Sequence, residues 1–208
     1  MKNINAILCF ILLSFHGVNC VAEPIPDDVK SRYPQNFREY VKYSYDIYLP
    51  AEMSKALKVY NKTAKILKMG DFEEDLRLHL AWGSSNMSCH SAVFNDFNGD
   101  EKFDAAILVE GDFFGPGQNG KEKYFPLLAI LSDGATSYQV VEITSIPAYK
   151  PVMASLRLVE PGRVTPIDGS EAVEIKNYGI MESEGYGATV YYWDDAEKKF
   201  KAIGTGGR

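Results

Sequence analysis

The residues of this chain best placed to do chemistry lie in one short run, Asp96-Phe97-Asn98-Gly99-Asp100-Glu101-Lys102-Phe103-Asp104. Oxygen-bearing side chains stand at its first, third, fifth and ninth positions: Asp96, Asn98, Asp100 and Asp104. A tight loop can aim such alternate side chains at one centre, and the seventh residue, Lys102, can add its backbone carbonyl. Hard oxygens at this spacing suit calcium, which takes about six to eight of them. Asn98 supplies an oxygen without adding to the repulsion among three carboxylates, and Gly99 permits a sharp turn. The run holds no thiolate or imidazole, so zinc and copper fit it poorly. The expected ligands are therefore Asp96, Asn98, Asp100, the carbonyl of Lys102, and Asp104. The alternative is a polar turn between two strands, in which Asn98-Gly99 acts on conformation alone.

The same residues resemble the calcium loop of FG-GAP or VCBS sequences in secreted proteins, whose pattern runs close to V-x-D-F-N-G-D-G-x-x-D-hydrophobic. Asp96, Phe97, Asn98, Gly99, Asp100 and Asp104 match it, over about residues 92–109. Glu101 departs from it, standing where the pattern has glycine, and a positive φ there would strain a non-glycine residue. Propellers repeat such a loop blade after blade. Here it occurs once, and radial repetition is what makes a propeller, so the fold is expected not to be one. The resemblance implies instead an exported bacterial protein of an uncharacterised family with a single loop of this kind. Val190 to Asp194, followed by a short hairpin to Phe200, is similar to a strand near the end of such proteins. No activity is implied.

Other candidates carry less. Cys89 could be a nucleophile activated by His79 or His90. His90 is its immediate neighbour, and adjacent strand residues point to opposite faces, which favours a small buried hydrophobe. No G-x-S-x-G or H-E-x-x-H signature supports an enzyme. Gly111 to Gly120, GDFFGPGQNG, reads as a long hairpin loop, and Phe113 and Phe114 make it a candidate binding loop beside the calcium site. Asn61-Lys62-Thr63 and Asn86-Met87-Ser88 are glycosylation sequons, meaningful in a eukaryotic secretory pathway.

The elements that must position these residues change character once along the chain. Residues 1–22 read as a cleaved secretory signal: Lys2 is the charged start, Ala6 to Phe15 the apolar run, and Cys20-Val21-Ala22 the cleavage site before Glu23. Acylation at Cys20 is the competing fate, and no membrane insertion is expected after cleavage. Residues 23–208 read as one α+β domain, with 23–70 mostly helical and 91–203 mostly β. An extended arm over 23–34 precedes a helix over 36–48, where Phe37, Val41 and Tyr45 stand four apart. Pro50 opens a second helix with the stripe Met53, Leu57, Tyr60 and Ala64. Asp71 and Glu74 resemble a capping box, and 76–82 fits helix and strand equally.

Beyond residue 91, strands are expected at Ala92–Asn95, Phe103–Glu110, Tyr124–Ser132, Tyr138–Thr144, Ala154–Val159, Ala172–Lys176, Ala188–Trp193 and Lys199–Ile203. They form an antiparallel sheet. With 22 basic against 28 acidic residues in 208, the net charge of −6 argues against a nucleic-acid partner. The expectation is a secreted or periplasmic, non-enzymatic protein in which structural calcium stiffens a strand connection and the surface binds another protein. The two alternatives are an inhibitor or immunity protein against an exported toxin enzyme, and a hydrolase using Cys89 with a histidine.

Overall fold

Two segments, Ala105 to Val109 and Phe125 to Leu131, are apolar at consecutive positions instead of alternate ones. A strand of that kind must be covered on both faces. In the computed structural model, which describes residues 21–23, 44–46, 49–73, 76, 90–117, 120–133, 137–184 and 187–206, these segments are the central strands of the larger sheet.

In chain order, β1 (Val21–Glu23) pairs antiparallel with β2 (Ser44–Asp46). Helix α1 (Ala51–Tyr60) follows, and then β3 (Lys65–Ile66), β4 (Ala92–Asn95), β5 (Asp104–Glu110), β6 (Phe114–Gly117), β7 (Gly120–Ser132) and β8 (Tyr138–Pro147) build a six-stranded antiparallel sheet. Within it β5 pairs with β3, β4 and β7, while β7 also pairs with β6 and β8. The second sheet is four-stranded and uses β9 (Ala154–Val159), β12 (Gly179–Glu184), β13 (Gly187–Asp194) and β14 (Lys199–Gly206) in the order β14-β13-β12-β9. Between them β10 (Gly162–Val164) and β11 (Val173–Ile175) form a small hairpin.

Three layers result. One face of β5 and β7, with Ala105, Ile107, Val109, Leu128 and Ile130, packs under Met53 and Leu57 of α1. The other face, with Ala106, Leu108, Leu127, Ala129 and Leu131, packs on Leu156, Ile180 and Tyr191 of the second sheet. The pairing of β7 with β8 slips by one residue between Leu127 and Leu128, leaving Ile143 as the extra residue of a bulge. Lys150 ties the far end of the sheet together, its Nζ lying 2.7 Å from Asp71 Oδ1 and 2.8 Å from Glu110 Oε2.

The expected strands beyond residue 91 are present and antiparallel, but they divide between two packed sheets and a small hairpin instead of forming one sheet. Of residues 23–70, expected to be mostly helical, Ala51–Tyr60 is the one α-helix among those described, and the reading is corrected around it. Pro50 is the N-cap of α1, its carbonyl accepting the Ser54 N–H. The helix stops at Asn61, short of Ala64, because Asn61 Oδ1 accepts the N–H and the hydroxyl of Thr63 and turns the chain. Ala64 is buried all the same, from the segment that leads into β3. The helix expected over 36–48 lies largely outside the described residues, and within it Ser44–Asp46 is a strand. Asp71 does not start a helix. It closes a 3₁₀ turn (Met69–Asp71) by accepting the Lys68 N–H, and Glu74 lies outside the described residues. The expected cleavage point between Ala22 and Glu23 falls within β1. No helix among the described residues is long and apolar enough to cross a membrane.

Candidate metal centre

Asn95 and Asp104 are cross-strand partners at the mouth of the β4–β5 hairpin, so residues 96–103 form its loop. Phe97 anchors that loop, fully buried in the core between the sheets. The polar residues then organise the loop's own backbone. Asp96 Oδ1 accepts the N–H groups of Gly99 (2.7 Å) and Asp100 (3.2 Å), and its Oδ2 accepts that of Glu101 (2.8 Å). Asn98 Oδ1 accepts the Asp100 N–H at 3.1 Å, and Asp100 Oδ1 accepts the Lys102 N–H at 3.0 Å. Each of these side chains is thereby held in one rotamer by backbone donors. Two residues take left-handed backbone, Gly99 at φ 78° and Glu101 at φ 63°. The site that the pattern reserves for glycine thus has the strained conformation in this chain, with a glutamate in it.

Asp104 behaves differently from the other three. It is 0% exposed. Its Oδ2 accepts the N–H groups of Phe97 (2.9 Å) and Asn98 (3.3 Å), and its Oδ1 accepts that of Ser132 (2.7 Å). Burial pushes its carboxyl up to about 6 against the pull of those three donors, and the charge of Asp100 adds to the rise. Asp104 is therefore the post around which the loop and the end of β7 are wrapped. Asn98 strengthens the same junction, its Nδ2 donating to the Ser132 carbonyl at 2.9 Å. On the loop's other side Asn177, between β11 and β12, presses on Gly99: a Cβ there would stand 2.9 Å from Asn177 Nδ2.

The described residues include no group of three or more His, Cys, Asp or Glu side chains arranged to hold a metal. Asp104 is turned inward, which leaves the two carboxylates of Asp96 and Asp100, the amide oxygen of Asn98 and the Lys102 carbonyl as oxygens of the loop itself. One atom in that set stands out. Asp100 Oδ2 is buried with no hydrogen-bond partner. A buried carboxylate oxygen without a donor is costly, and a cation relieves the cost directly. By that observation and by the all-oxygen donor set, the loop fits a hard cation such as calcium.

The remaining candidates separate from this site. Gly111 to Gly120 is not a long loop. Phe114–Gly117 pairs with residues 120–123, closing a tight hairpin at the Gly117–Gly120 pair. It leaves the opposite end of β5 from Asp104, about 20 Å away over seven residues, so it is no lid on the metal loop. Phe113 is 6% exposed and packs on Tyr124 in the core beneath α1, whereas Phe114 is 53% exposed. Cys89, His79 and Asn86 lie outside the described residues. His90 is buried, edge-on to Phe72 with ring centroids 6.1 Å apart, and its Nδ1 has no partner. Burial and then the charge of Arg157 push it down to about 4, so it is neutral near pH 7. The sequon residue Asn61 spends its side-chain oxygen on Thr63. Ser132, at the end of β7, and Asn177, between β11 and β12, are the loop contacts that sequence reasoning misses, since they lie far along the chain with no local signal. Searched against protein-family models, curated proteins and solved structures, the chain matches none.

Proposed function

We propose that the protein is an exported, non-enzymatic binding protein whose 96–104 loop takes up calcium to brace the β4–β5 hairpin against β7. The observation that carries this is the buried, unpartnered Asp100 Oδ2 in a loop whose other oxygens already hold the backbone in a tight turn. Asp96, Asn98, Asp100 and the Lys102 carbonyl would hold the ion, with Asp104 behind them fixing the loop to Ser132. Bound calcium supplies charge neutralisation and no reaction. The signal-like segment 1–22 supports export, and the mature chain would begin at Glu23 without lipid on Cys20.

Calorimetric titration and thermal melting test the metal. Extracellular modules bind calcium at roughly 10⁻⁴ to 10⁻³ M, and Glu101 places this loop at the weak end. Calcium at about tenfold above Kd contributes about 1.4 kcal/mol, which raises Tm by a few degrees. Magnesium does less, because it demands a smaller octahedral cage. Asp100→Ala removes the calcium-dependent shift and leaves α1 folded. A melting curve that is the same in millimolar calcium and in chelator, with no heat of binding, overturns the metal. Mass spectrometry of the exported chain tests the address, and a diacylglycerol adduct on Cys20 overturns it.

A further inference from the structure

Within the described residues β8 is an edge strand. Among the described residues, no backbone hydrogen bond reaches Tyr138 to Ile146 except from β7. Two other sheet edges are met. The free side of β9 receives His90, whose carbonyl accepts the Leu156 N–H at 2.9 Å, and β14 is met by Ile167, whose N–H donates to the Gly204 carbonyl at 2.9 Å. Unpaired edges are templates for another strand, and proteins commonly blunt them with charge, proline or bulges. Here the bulge at Ile143 and Pro147 disrupt the second half of β8. The first half, Tyr138 to Glu142, stays regular and carries one charge, Glu142.

Alongside this half runs α1. The Tyr60 hydroxyl donates to Glu142 Oε2 at 3.3 Å, and at the other end Glu52 is close enough to act on the Tyr138 hydroxyl. From residue 52 to 60 a helix advances about 12 Å, and from 138 to 142 a strand advances about 13 Å, so the two elements lie side by side. Between them is a groove of about 350 Å³, floored by Ala56 and Val140 and flanked by Val59, Tyr60 and Tyr138. This is a second stripe of α1, distinct from the Met53 and Leu57 stripe that faces the core, and Val59 on it is 81% exposed. Open ladder groups beside an apolar groove accept one kind of ligand well, a polypeptide in extended conformation, whose backbone answers the ladder and whose alternate side chains reach the groove.

Charge narrows the choice. Glu142 sits in the middle of the edge, and the one lysine on the groove wall, Lys55, is already met by Glu52 at 3.8 Å, so the groove keeps a negative charge. The whole chain carries −6, so a second copy of it meets repulsion where a basic segment meets attraction.

We propose that Tyr138 to Glu142 and the groove beside α1 bind an extended segment of another protein, which pairs with β8, sets an apolar side chain against Ala56 and Val59, and carries a basic residue toward Glu142. This rests on the reading of the chain as a binding protein and is independent of the metal.

The probe is a phage-displayed library of linear peptides panned on the full chain, once with calcium and once with chelator. Enriched peptides are expected to share apolar and basic residues, to slow amide exchange at Tyr138 to Glu142, and to bind Val59→Arg at least tenfold more weakly. Val59 is a surface residue, so this variant should keep the wild-type melting curve. The exchange measurement on wild-type protein decides the matter if it does not. Capture that persists in chelator keeps the inference whatever becomes of calcium. No enrichment, protection confined to another surface, or binding indifferent to Val59→Arg overturns it. So does sedimentation of the free chain as a dimer with Tyr138 to Glu142 already protected, which would make a second copy the occupant.

Discussion

His90 should make this protein acid-labile, and by a calculable amount. Its ring is 5% exposed, packs edge-on against Phe72, and leaves Nδ1 without a partner. Burial, with Arg157 adding to it, lowers its pKa from 6.5 to about 4. The unfolded chain therefore binds a proton more readily than the native one, and acid favours unfolding. The contribution is fully present above about pH 6.5, is lost as pH falls toward 4, and amounts to about 3 kcal/mol in the limit. Between about pH 7.5 and pH 5 the loss is about 2 kcal/mol, or roughly 4–8 °C in Tm for a domain of this size. Asp104, whose carboxyl burial raises to about 6, gains stability over the same interval and offsets part of that loss, so the readout is the difference in thermal melts between wild type and a His90 variant. His90→Phe keeps a ring against Phe72 and removes the titration, so its Tm should fall several degrees less than that of wild type over the same interval. Equal losses in the two proteins would refute the argument, as would an NMR titration in which the His90 ring protonates near its ordinary value.

Glu101→Gly should stabilise the loop even in chelator. Relief of the left-handed residue returns about 1.5 kcal/mol and the added freedom of the unfolded chain removes roughly 0.7, for a net gain of about 0.8 and a Tm higher by about 2–3 °C. An unchanged or lower Tm would mean that residue 101 is not held at positive φ. Asp104→Ala leaves the N–H groups of Phe97, Asn98 and Ser132 without their acceptor and should cost more than about 3 kcal/mol in urea titration, while Asp104→Asn should cost less. Similar midpoints for the two variants would count against the carboxylate as the post of the loop. Phe113→Ala should cost about 3 kcal/mol and Phe114→Ala within about 0.5, because only the first is buried, and the reverse order of melting temperatures would sink that assignment.

Much of this architecture is legible in the residues. The unbroken apolar runs at Ala105 and Phe125 mark strands covered on both faces, and the Asp96 to Asp104 spacing marks a loop that organises itself around carboxylates. What is not legible depends on distance or direction. Tyr45 and its neighbours share helical spacing with Phe37 and Val41, yet Ser44–Asp46 is extended and paired with a segment more than twenty residues earlier. Four glycines between 111 and 120 suggest a flexible loop, but Gly117 and Gly120 let two strands close tightly. The separation of Phe113 from the metal loop could have been read directly, since one precedes β5 and the other follows it. Asp104 looks like a ligand by spacing. Its full burial and its bond to the Ser132 N–H, from the far end of β7, are what the run itself does not show.

The extra residue at Ile143 has a consequence for which changes of length the chain can accept. Before it, Tyr138 and Val140 turn toward α1. After it, Ile146 turns toward the second sheet, and the Thr144 hydroxyl bonds Tyr191 there. Val141 already packs on that same core, so β8 serves both cores by alternation, and the extra residue changes which positions face which. Removing any one residue between 141 and 144 would rotate everything downstream by half a turn, pointing Ile146 away from its core and Pro147 into it. Substitutions here can be mild while a one-residue deletion is ruinous. In the history of such a chain, this stretch should hold its length even where its composition changes.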